Sequence, residues 1–220
     1  MARSSPVVPK PAATVVLLRH EGGRREVFLT KRPDSMAFLA GYYVFPGGSV
    51  DAVDRRPEAT GRLFGADLSA MEQSARDGHD PAAFFTASVR ELFEESGVLM
   101  LCDARGEIVS DEVYRDMRDG TKPRGRGFVR ELVGRNLFYA GHRLTLMQLF
   151  TTPAFSPIRF YTVFFRADLP DGQRAGMNSP EVECSLWVTP EEALERNRSG
   201  EFPMILPTLA ALYAIINASQ

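Results

Sequence analysis

Apolar residues follow two different periods along the chain, and these periods predict a mixture of strands and helices. Short runs that are nearly all apolar or β-branched, bounded by glycine, proline and charged residues, are typical of buried strands. The sequence Glu21-Gly22-Gly23-Arg24 predicts the turn between the first two strands. The predicted strands cover residues 12–18, 26–31, 42–45, 98–101, 159–165 and 181–188.

Helical spacing predicts the elements between these strands. Asp80 as N-cap and Pro81 at the first helical position begin a helix that ends before Gly97, a residue suited to the left-handed position after a helix. Apolar residues from Val113 to Leu137 recur three and four apart and predict two further helices, which would form a cap or a dimer arm. Two late helices are predicted from residue 189 onward and over 202–216.

The chain of 220 residues is long enough for one domain with insertions. We predict a flexible tail over 1–11 and a single domain over 12–220, with insertions at about 55–80 and 111–150. The first insertion is polar and charged, which favours a surface excursion with one short helix. A homodimer through the inserted helices is one interpretation, and the sequence does not decide the oligomeric state.

Composition narrows the classes of partner and compartment. A formal net charge of -2 and a pI near 6.0 give no electrostatic basis for binding nucleic acid or an anionic membrane. Two cysteines, Cys102 and Cys184, are too few for a disulfide scaffold and suit a reducing cytosol. No signal-peptide core or membrane-length apolar stretch is found, so a cytoplasmic location is expected.

The last turns of the helix over 81–96 carry a dense group of charged side chains. Residues three and four apart on a helix are neighbours, so Glu91 lies next to Glu94 and Glu95, and Arg90 lies next to Glu94. Acids are unfavourable at a helix C-terminus and repel one another. Two interpretations follow: a solvated charged face, which a pair of glutamates alone would favour, or a site for a hard divalent cation.

The glycines after the third predicted strand offer a second candidate feature. Gly47 and Gly48 follow Pro46 directly, and a backbone without Cβ atoms can pass close to a metal or a phosphate. An isolated Pro-Gly-Gly would be a plain turn, so the argument depends on the acids that accompany it.

The segment Arg90-Glu91-Leu92-Phe93-Glu94-Glu95-Ser96-Gly97-Val98 resembles the second half of the Nudix box, the signature of Nudix hydrolases. A glycine, five residues and an acid form the first half, and Gly48 and Asp54 match it, with Asp54 where most members have glutamate. The family has seven residues before the arginine, whereas residues 55–89 intervene here, so the box resembles one interrupted by an insertion. The resemblance implies an α/β protein with the Nudix fold, an α/β/α sandwich around a mixed sheet.

The resemblance also implies a Mg²⁺ or Mn²⁺ site and the hydrolysis of a diphosphate linkage. Arg90 would orient one glutamate, and Glu94 would be the central catalytic carboxylate. In some members the acid before the late strand is the general base or a further metal ligand, and Glu181 and Glu183 both remain candidates. The implied metal ligands are the Gly48 carbonyl and the carboxylates of Glu91, Glu94 and Glu95.

The substrate class follows less directly, and a small-molecule nucleoside diphosphate derivative is the general expectation. Residues 29–48 have the length and frame of the extra motif of Nudix coenzyme A diphosphatases, although Ala37 and Pro33 depart from it. Coenzyme A or an acyl-CoA is therefore the leading specific substrate. ADP-ribose, dinucleotides and oxidised nucleotides are alternatives, as is a non-catalytic nucleotide-binding module, which the complete set of box residues disfavours.

Basic residues supply the candidate substrate contacts. Arg32 and Gly47 are candidates within the motif, and Arg159 is one at the start of a predicted strand, where an anion contact and a plain strand end are equally compatible. The basic turn over 122–127 would be a solvated loop rather than a phosphate contact, because such charges are usually exposed.

Overall fold

A mixed seven-stranded sheet forms the centre of the computed structural model, which describes residues 7–218 apart from 73, 75 and 76. Two further strands, β5 and β6, pair with each other outside this sheet. The strands are β1 (Lys10–Glu21), β2 (Arg24–Lys31), β3 (Tyr43–Val44), β4 (Gly47–Ser49), β5 (Leu101–Cys102), β6 (Phe138–Tyr139), β7 (Thr145–Thr151), β8 (Phe160–Asp168) and β9 (Cys184–Val188).

Strand β1 organises the sheet because it has different partners along its length. The main path runs β3-β2-β1-β8-β7, with β1 and β8 parallel and the other neighbours antiparallel. Residues 18–21 of β1 pair with β2, whereas residues 12–14 pair with β4. This division places Gly47 and Gly48 beside Thr14 and Ala13, at the edge where the sheet splits.

Helices cover both faces of the sheet. Alternate residues of β1 enter two separate cores, with Val15 and Leu17 in the core under α2, and Val16 and Leu18 in the core under α5 and α6. This arrangement confirms the predicted α/β sandwich around a mixed sheet. The helices are α1 (Pro57–Thr60), α2 (Pro81–Ser96), α3 (Asp111–Arg115), α4 (Arg126–Gly134), α5 (Pro190–Arg198) and α6 (Leu206–Asn217), with a π-helical segment at Asp116–Thr121 and 3₁₀ turns at Ser69–Met71 and Gly141–Arg143.

The ends of α2 agree with the capping signals in the sequence. The Asp80 carboxylate accepts a hydrogen bond from the Ala82 amide at 3.0 Å, and Gly97 ends the helix with φ of 74°. Helix α2 is buried on nearly every side, because the sheet covers one side and α4 another, where Phe93 and Phe128 pack with ring centroids 5.4 Å apart. The fold therefore encloses the carboxylates of its last turns.

The predicted insertion over 111–150 contains helices where helical spacing predicted them and a strand after them. Helices α3 and α4 and the π-helical segment carry apolar residues at the predicted spacing, but residues 145–151 form β7, which pairs with β8 in the main sheet. Exposed and half-buried residues alternate over much of β7, the period of a strand rather than a helix. The second half of this predicted insertion is therefore part of the sheet.

Several boundaries also differ from the prediction. Strand β1 begins at Lys10, two residues inside the predicted tail, and residues 1–6 lie outside the described residues. Of the predicted strand over 98–101, Leu101 alone lies in β5, which continues to Cys102, and α6 begins at Leu206 rather than at 202. Residues 55–80 are not only a surface excursion, because Ala59 and Met71 are fully buried in the core under α2.

Among the described residues, no helix combines the length and apolar character that crossing a membrane would require.

Candidate active site

A buried ion pair links the two sequence segments on which the family resemblance rests. The Arg90 guanidinium donates two hydrogen bonds to the Asp54 carboxylate, from Nε to Oδ1 at 2.8 Å and from Nη2 to Oδ2 at 2.7 Å. The two side chains are only 3% and 0% exposed. Arg90 Nη2 also donates to the Ser49 carbonyl at 3.1 Å, so α2 is attached to the end of β4.

The charge of Arg90 is maintained by the acids around it. Burial would lower the pKa of this guanidinium, but the hydrogen bonds to Asp54 and the charges of Glu91, Asp54 and Glu94 raise the pKa above its ordinary value. Arg90 Nη1 donates to Glu91 Oε1 at 2.8 Å and lies 3.5 Å from Glu94 Oε1. One guanidinium therefore orients several carboxylates at once.

The glutamates of α2 form part of a partly enclosed group, and the interpretation as a solvated face is wrong for this chain. Glu94 and Glu95 are buried, and backbone amides from two other segments bind them. The Gly125 amide donates to Glu94 Oε1 at 2.7 Å, and the Gly47 amide donates to Glu95 Oε2 at 3.1 Å. The end of α2 is thus the meeting point of β4 and the segment before α4.

Burial raises the pKa of two of these carboxylates, Glu91 and Glu95. Burial raises the pKa of Glu95 to about 8, with a further contribution from the charge of Glu91 and an opposing one from the Gly47 amide. Burial also raises the pKa of Glu91 to about 7, although the nearby Arg90 charge opposes this effect. Glu91 and Glu95 therefore keep their protons up to a higher pH than exposed glutamates do, mainly because they are buried.

The two glycines of β4 are required by close packing. A Cβ atom on Gly48 would lie 2.6 Å from the Glu91 carboxylate, and one on Gly47 would lie 2.4 Å from the Ala13 carbonyl oxygen. Real Cβ atoms do not approach other atoms so closely. The predicted close approach of this backbone is present, and the group that it approaches is a carboxylate of the cluster.

The donor set fits a hard divalent cation in its chemistry. Carboxylate and backbone carbonyl oxygens are the ligands that Mg²⁺ and similar ions prefer. Within the described residues, no three acidic, histidine or cysteine side chains converge as a ready metal-binding group. Amide and guanidinium N–H groups occupy the glutamate oxygens instead, so cation binding would exchange some of these hydrogen bonds for metal contacts.

A cavity of about 460 Å³ connects the glutamates to an apolar wall. The start of α6 and the loop after β2 close its sides with Pro207 and Leu39. The cavity has both the charged and the apolar surfaces that a nucleotide derivative would contact. Its charged lining comprises Asp51, Glu91, Glu94, Glu95, Glu181, Arg32, Arg90 and Arg124, and its aromatic lining comprises Phe38, Phe45, Phe150, Phe160 and Phe164.

The two candidate acids before β9 have different surroundings. Glu181 lines the cavity, and its charge contributes to the raised pKa of Glu95, behind burial and the charge of Glu91. Glu183 accepts a hydrogen bond from Lys31 Nζ at 2.7 Å and is absent from the described cavity lining. The structure therefore brings Glu181, and not Glu183, to the carboxylate cluster.

The two candidate arginines lie in different places relative to the cavity. Arg32 lines the cavity, where its Nε donates to the Phe38 carbonyl at 3.1 Å. Arg159 lies outside the described lining, and its guanidinium donates to the carbonyls of Thr152 and Val7 at 3.0 and 2.6 Å. Arg159 thus secures the start of β8, and its contact with a substrate stays a prediction.

The basic turn before α4 has exposed arginine and lysine side chains, as predicted for a solvated loop, but the sequence did not predict that one of them contacts the glutamates. Arg124 lines the cavity, with its Nε 3.6 Å from Glu94 Oε2. Gly125 has φ of 49° and ψ of -121°, a conformation open to glycine but not to other residues. The turn has no apolar periodicity that would indicate which element it packs against. Its contact with Glu94, 30 residues earlier in the chain, could therefore not be predicted from the sequence pattern.

Comparison with known proteins identifies the family, although no family model matches the chain. A crystal structure of a Nudix hydrolase from Alicyclobacillus acidocaldarius is 30% identical, with a TM-score of 0.75 over 94% of this chain and 90% of that one. The putative nudix hydrolase 7 of Caenorhabditis elegans is 25% identical over 209 residues, which are 89% of this chain and 56% of that protein. The chain thus spans little more than half the length of this curated relative.

A more distant structure agrees in fold. The Nudix domain of Shewanella oneidensis NrtR, complexed with ADP ribose, is 12% identical with a TM-score of 0.51 over 97% of this chain and 90% of that one. At that identity the likeness concerns the fold alone. The Alicyclobacillus protein is closer, and at 30% identity over nearly the whole of both chains it establishes that this chain belongs to the Nudix hydrolase family.

Proposed function

We propose that the protein hydrolyses a diphosphate linkage in a nucleoside diphosphate derivative with the help of a divalent metal ion, Mg²⁺ or Mn²⁺. The observation that carries this proposal is the enclosed group of Glu91, Glu94 and Glu95 beside the Gly47–Gly48 backbone, at one wall of a cavity large enough for a ligand. Hydrolysis, rather than binding alone, is favoured because these acids and Arg90 are all present.

The metal would be held by the Gly48 carbonyl and by Glu91, Glu94 and Glu95. When bound, such an ion neutralises phosphate oxygens and makes a bound water more acidic. The protein itself positions the carboxylates, because the Asp54–Arg90 pair fixes α2 relative to β4. We assign the role of general base to Glu181 rather than to Glu183, because Glu181 lines the cavity.

We also propose that Gly48, Asp54 and Arg90 belong to one Nudix box that residues 55–89 interrupt. The buried Asp54–Arg90 contact supports this reading, because it joins the acid of the first half to the arginine of the second half. Aspartate is one methylene shorter than glutamate, and the bidentate pairing indicates that its reach is sufficient here.

Coenzyme A or an acyl-CoA is the substrate that we propose first. Arg32 and Phe38, both within the segment that resembles the coenzyme A diphosphatase motif, line the cavity. The aromatic wall offers an apolar surface to the long arm that such a substrate carries beyond its diphosphate.

A substrate panel tests this proposal directly. We expect cleavage of coenzyme A or an acyl-CoA in the presence of Mg²⁺ or Mn²⁺, and none in the presence of a chelator, because phosphate oxygens need the metal's charge. The measurement is release of phosphate esters from coenzyme A, an acyl-CoA, ADP-ribose, NADH and diadenosine polyphosphates. A Glu183→Gln variant serves as the control that keeps full activity, since Glu183 lies apart from the cavity lining.

Other outcomes of the panel have definite meanings. Cleavage of ADP-ribose or a dinucleotide without cleavage of coenzyme A would reject the proposed substrate and keep the proposed reaction. Binding of nucleotides without metal-dependent cleavage of any compound would replace the hydrolase by a nucleotide-binding module.

Metal binding should also depend on pH in a direction set by the buried carboxylates. The pKa values of Glu91 and Glu95 in the metal-free fold are raised to about 7 and about 8, so this fold holds protons that the unfolded chain releases at lower pH. The stability that this protonation contributes is complete below the ordinary carboxyl pKa and is lost as pH rises through 7 and 8. A bound cation favours the ionised carboxylates, so its stabilising effect should grow over the same range.

We therefore expect the increase in melting temperature caused by 5–10 mM Mg²⁺, about the concentration that saturates a weak site, to be larger at pH 8.5 than at pH 6. Thermal unfolding with and without Mg²⁺ across this range measures the effect. Glu95→Gln should weaken the pH dependence, whereas Glu183→Gln should retain it. A Mg²⁺-induced shift that is the same at every pH would contradict the expectation.

A further inference from the structure

The segment before α4 adds a positive charge to the cavity, and this segment belongs neither to β4 nor to α2. The π-helical segment Asp116–Thr121 ends at Lys122, which is in a left-handed conformation, and the chain then turns so that Arg124 and Gly125 contact Glu94. The Gly125 amide and the Arg124 guanidinium approach different oxygens of that carboxylate. The basic side chains of this turn are exposed, as predicted, and Arg124 also contributes to the wall of the cavity.

Arg124 also contacts the loop that carries Glu181. Its Nη2 donates to Ser179 Oγ at 3.2 Å, and the same oxygen accepts a hydrogen bond from the Glu181 amide at 3.1 Å. Ser179 is buried, so this connection does not compete freely with water. The guanidinium thus lies between Glu94 and the loop that carries Glu181.

The charges that line the cavity leave Arg124 suited to an anion. Arg90 is 3% exposed and already binds Asp54 and Glu91, whereas the Arg124 side chain is 43% exposed. Within the described part of the chain, Arg124 Nη2 donates to Ser179 Oγ and its Nε lies 3.6 Å from Glu94 Oε2, so the N–H donors of Nη1 remain available. Arginine presents these donors as a planar fork that matches phosphate oxygens.

On these observations, and resting on the proposed function, we propose that Arg124 is a substrate-binding residue that contacts a diphosphate oxygen of the substrate. The contact comes from the polypeptide itself and adds to whatever charge the metal supplies. Arg32 and Arg90 also line the cavity, but Arg90 already binds Asp54 and Glu91, so Arg124 supplies a further cation beside the carboxylates that a diphosphate would face.

The test compares Arg124→Ala and Arg124→Lys with the matched control Arg126→Ala, an exposed arginine two residues later on the same turn. The probe is α,β-methylene-ADP, whose methylene bridge resists cleavage, and its binding in Mg²⁺ is measured by calorimetry. We expect Arg124→Ala to weaken binding about tenfold to one-hundredfold, as for the loss of a charged hydrogen-bonding group. Arg124→Lys should recover part of the loss, and Arg126→Ala should bind like the unaltered protein.

A second measurement separates substrate binding from an effect through Glu94. The Mg²⁺-induced increase in melting temperature should be the same in Arg124→Ala as in the unaltered protein, and KM for the cleaved substrate should rise more than kcat falls. Equal probe binding in Arg124→Ala, or a Mg²⁺ effect lost in step with probe binding, would overturn the assignment. In that case turnover by the unaltered protein would leave the proposed function standing, whereas absence of both turnover and probe binding would remove both.

Discussion

Glu94→Gln is expected to remove nearly all hydrolytic activity while the protein remains folded. The substitution keeps the size of the side chain and one oxygen for the Gly125 amide, but it removes the charge that would hold a metal ion and face Arg90. Loss of several kcal/mol of transition-state stabilisation corresponds to a decrease in kcat of about 10³-fold, at about 1.4 kcal/mol for each factor of ten. Initial rates at saturating substrate and metal measure this loss.

The control for this prediction is the fold of the variant. Far-ultraviolet circular dichroism and the melting temperature without metal should stay close to those of the unaltered protein, while the Mg²⁺-induced stabilisation should decrease. A Glu94→Gln protein that retains more than about one-tenth of the activity would contradict a central role for this carboxylate, because removal of a single transition-state interaction costs more than that.

Asp54→Ala is expected to destabilise the protein by about 3–5 kcal/mol, because it leaves the Arg90 guanidinium buried without its bidentate partner. Asp54 is fully buried and also accepts a hydrogen bond from the Asp51 amide at 2.8 Å. Its removal therefore breaks the contacts with both Arg90 and Asp51. The free energy of unfolding from denaturant titration measures the effect. Activity should fall as well, since Arg90 orients Glu91 and lies beside Glu94.

Asp51→Ala is the matched comparison, since its carboxylate is 61% exposed and lies 3.8 Å from the same arginine. Because water reaches the Asp51 carboxylate and the distance is long, this ion pair is expected to contribute about 1 kcal/mol or less. A double variant, Asp54→Ala with Arg90→Met, should be less destabilised than the sum of the single variants, because no unpaired buried charge remains. Equal costs for Asp54→Ala and Asp51→Ala would show that the buried pair has no special role in stability.

Local signals in the sequence predicted the elements that carry the carboxylates. The N-cap at Asp80 and the glycine at residue 97 delimited α2, and the apolar runs located β1 and β8, because capping and burial are encoded by neighbouring residues. The boundaries of β1 and β8 still moved by several residues, since strand pairing and not composition decides where a strand ends. The fold class followed from the resemblance to Nudix hydrolases.

Features that depend on distant contacts were predicted less well. Strand β7 was not among the predicted strands, because residues 145–151 fall within the predicted insertion and only pairing with β8 reveals the strand. The site placed Glu181 at the cavity and Glu183 against Lys31, a choice that adjacency in the sequence could not make. The contact between Arg124 and Glu94 was not predicted for the same reason, since the two residues belong to different elements.

The Asp54–Arg90 pair has a consequence for how this protein can vary. The pair holds the two ends of residues 55–89 together. The positions of the glutamates therefore do not depend on how many residues this segment contains. Lengthening a closed segment costs little in conformational entropy, about 0.6 kcal/mol for each doubling. If the two segments form one interrupted box, as proposed above, relatives with a connection of different length would keep the same arrangement of glutamates, and a search that demands fixed spacing between the two halves would overlook them.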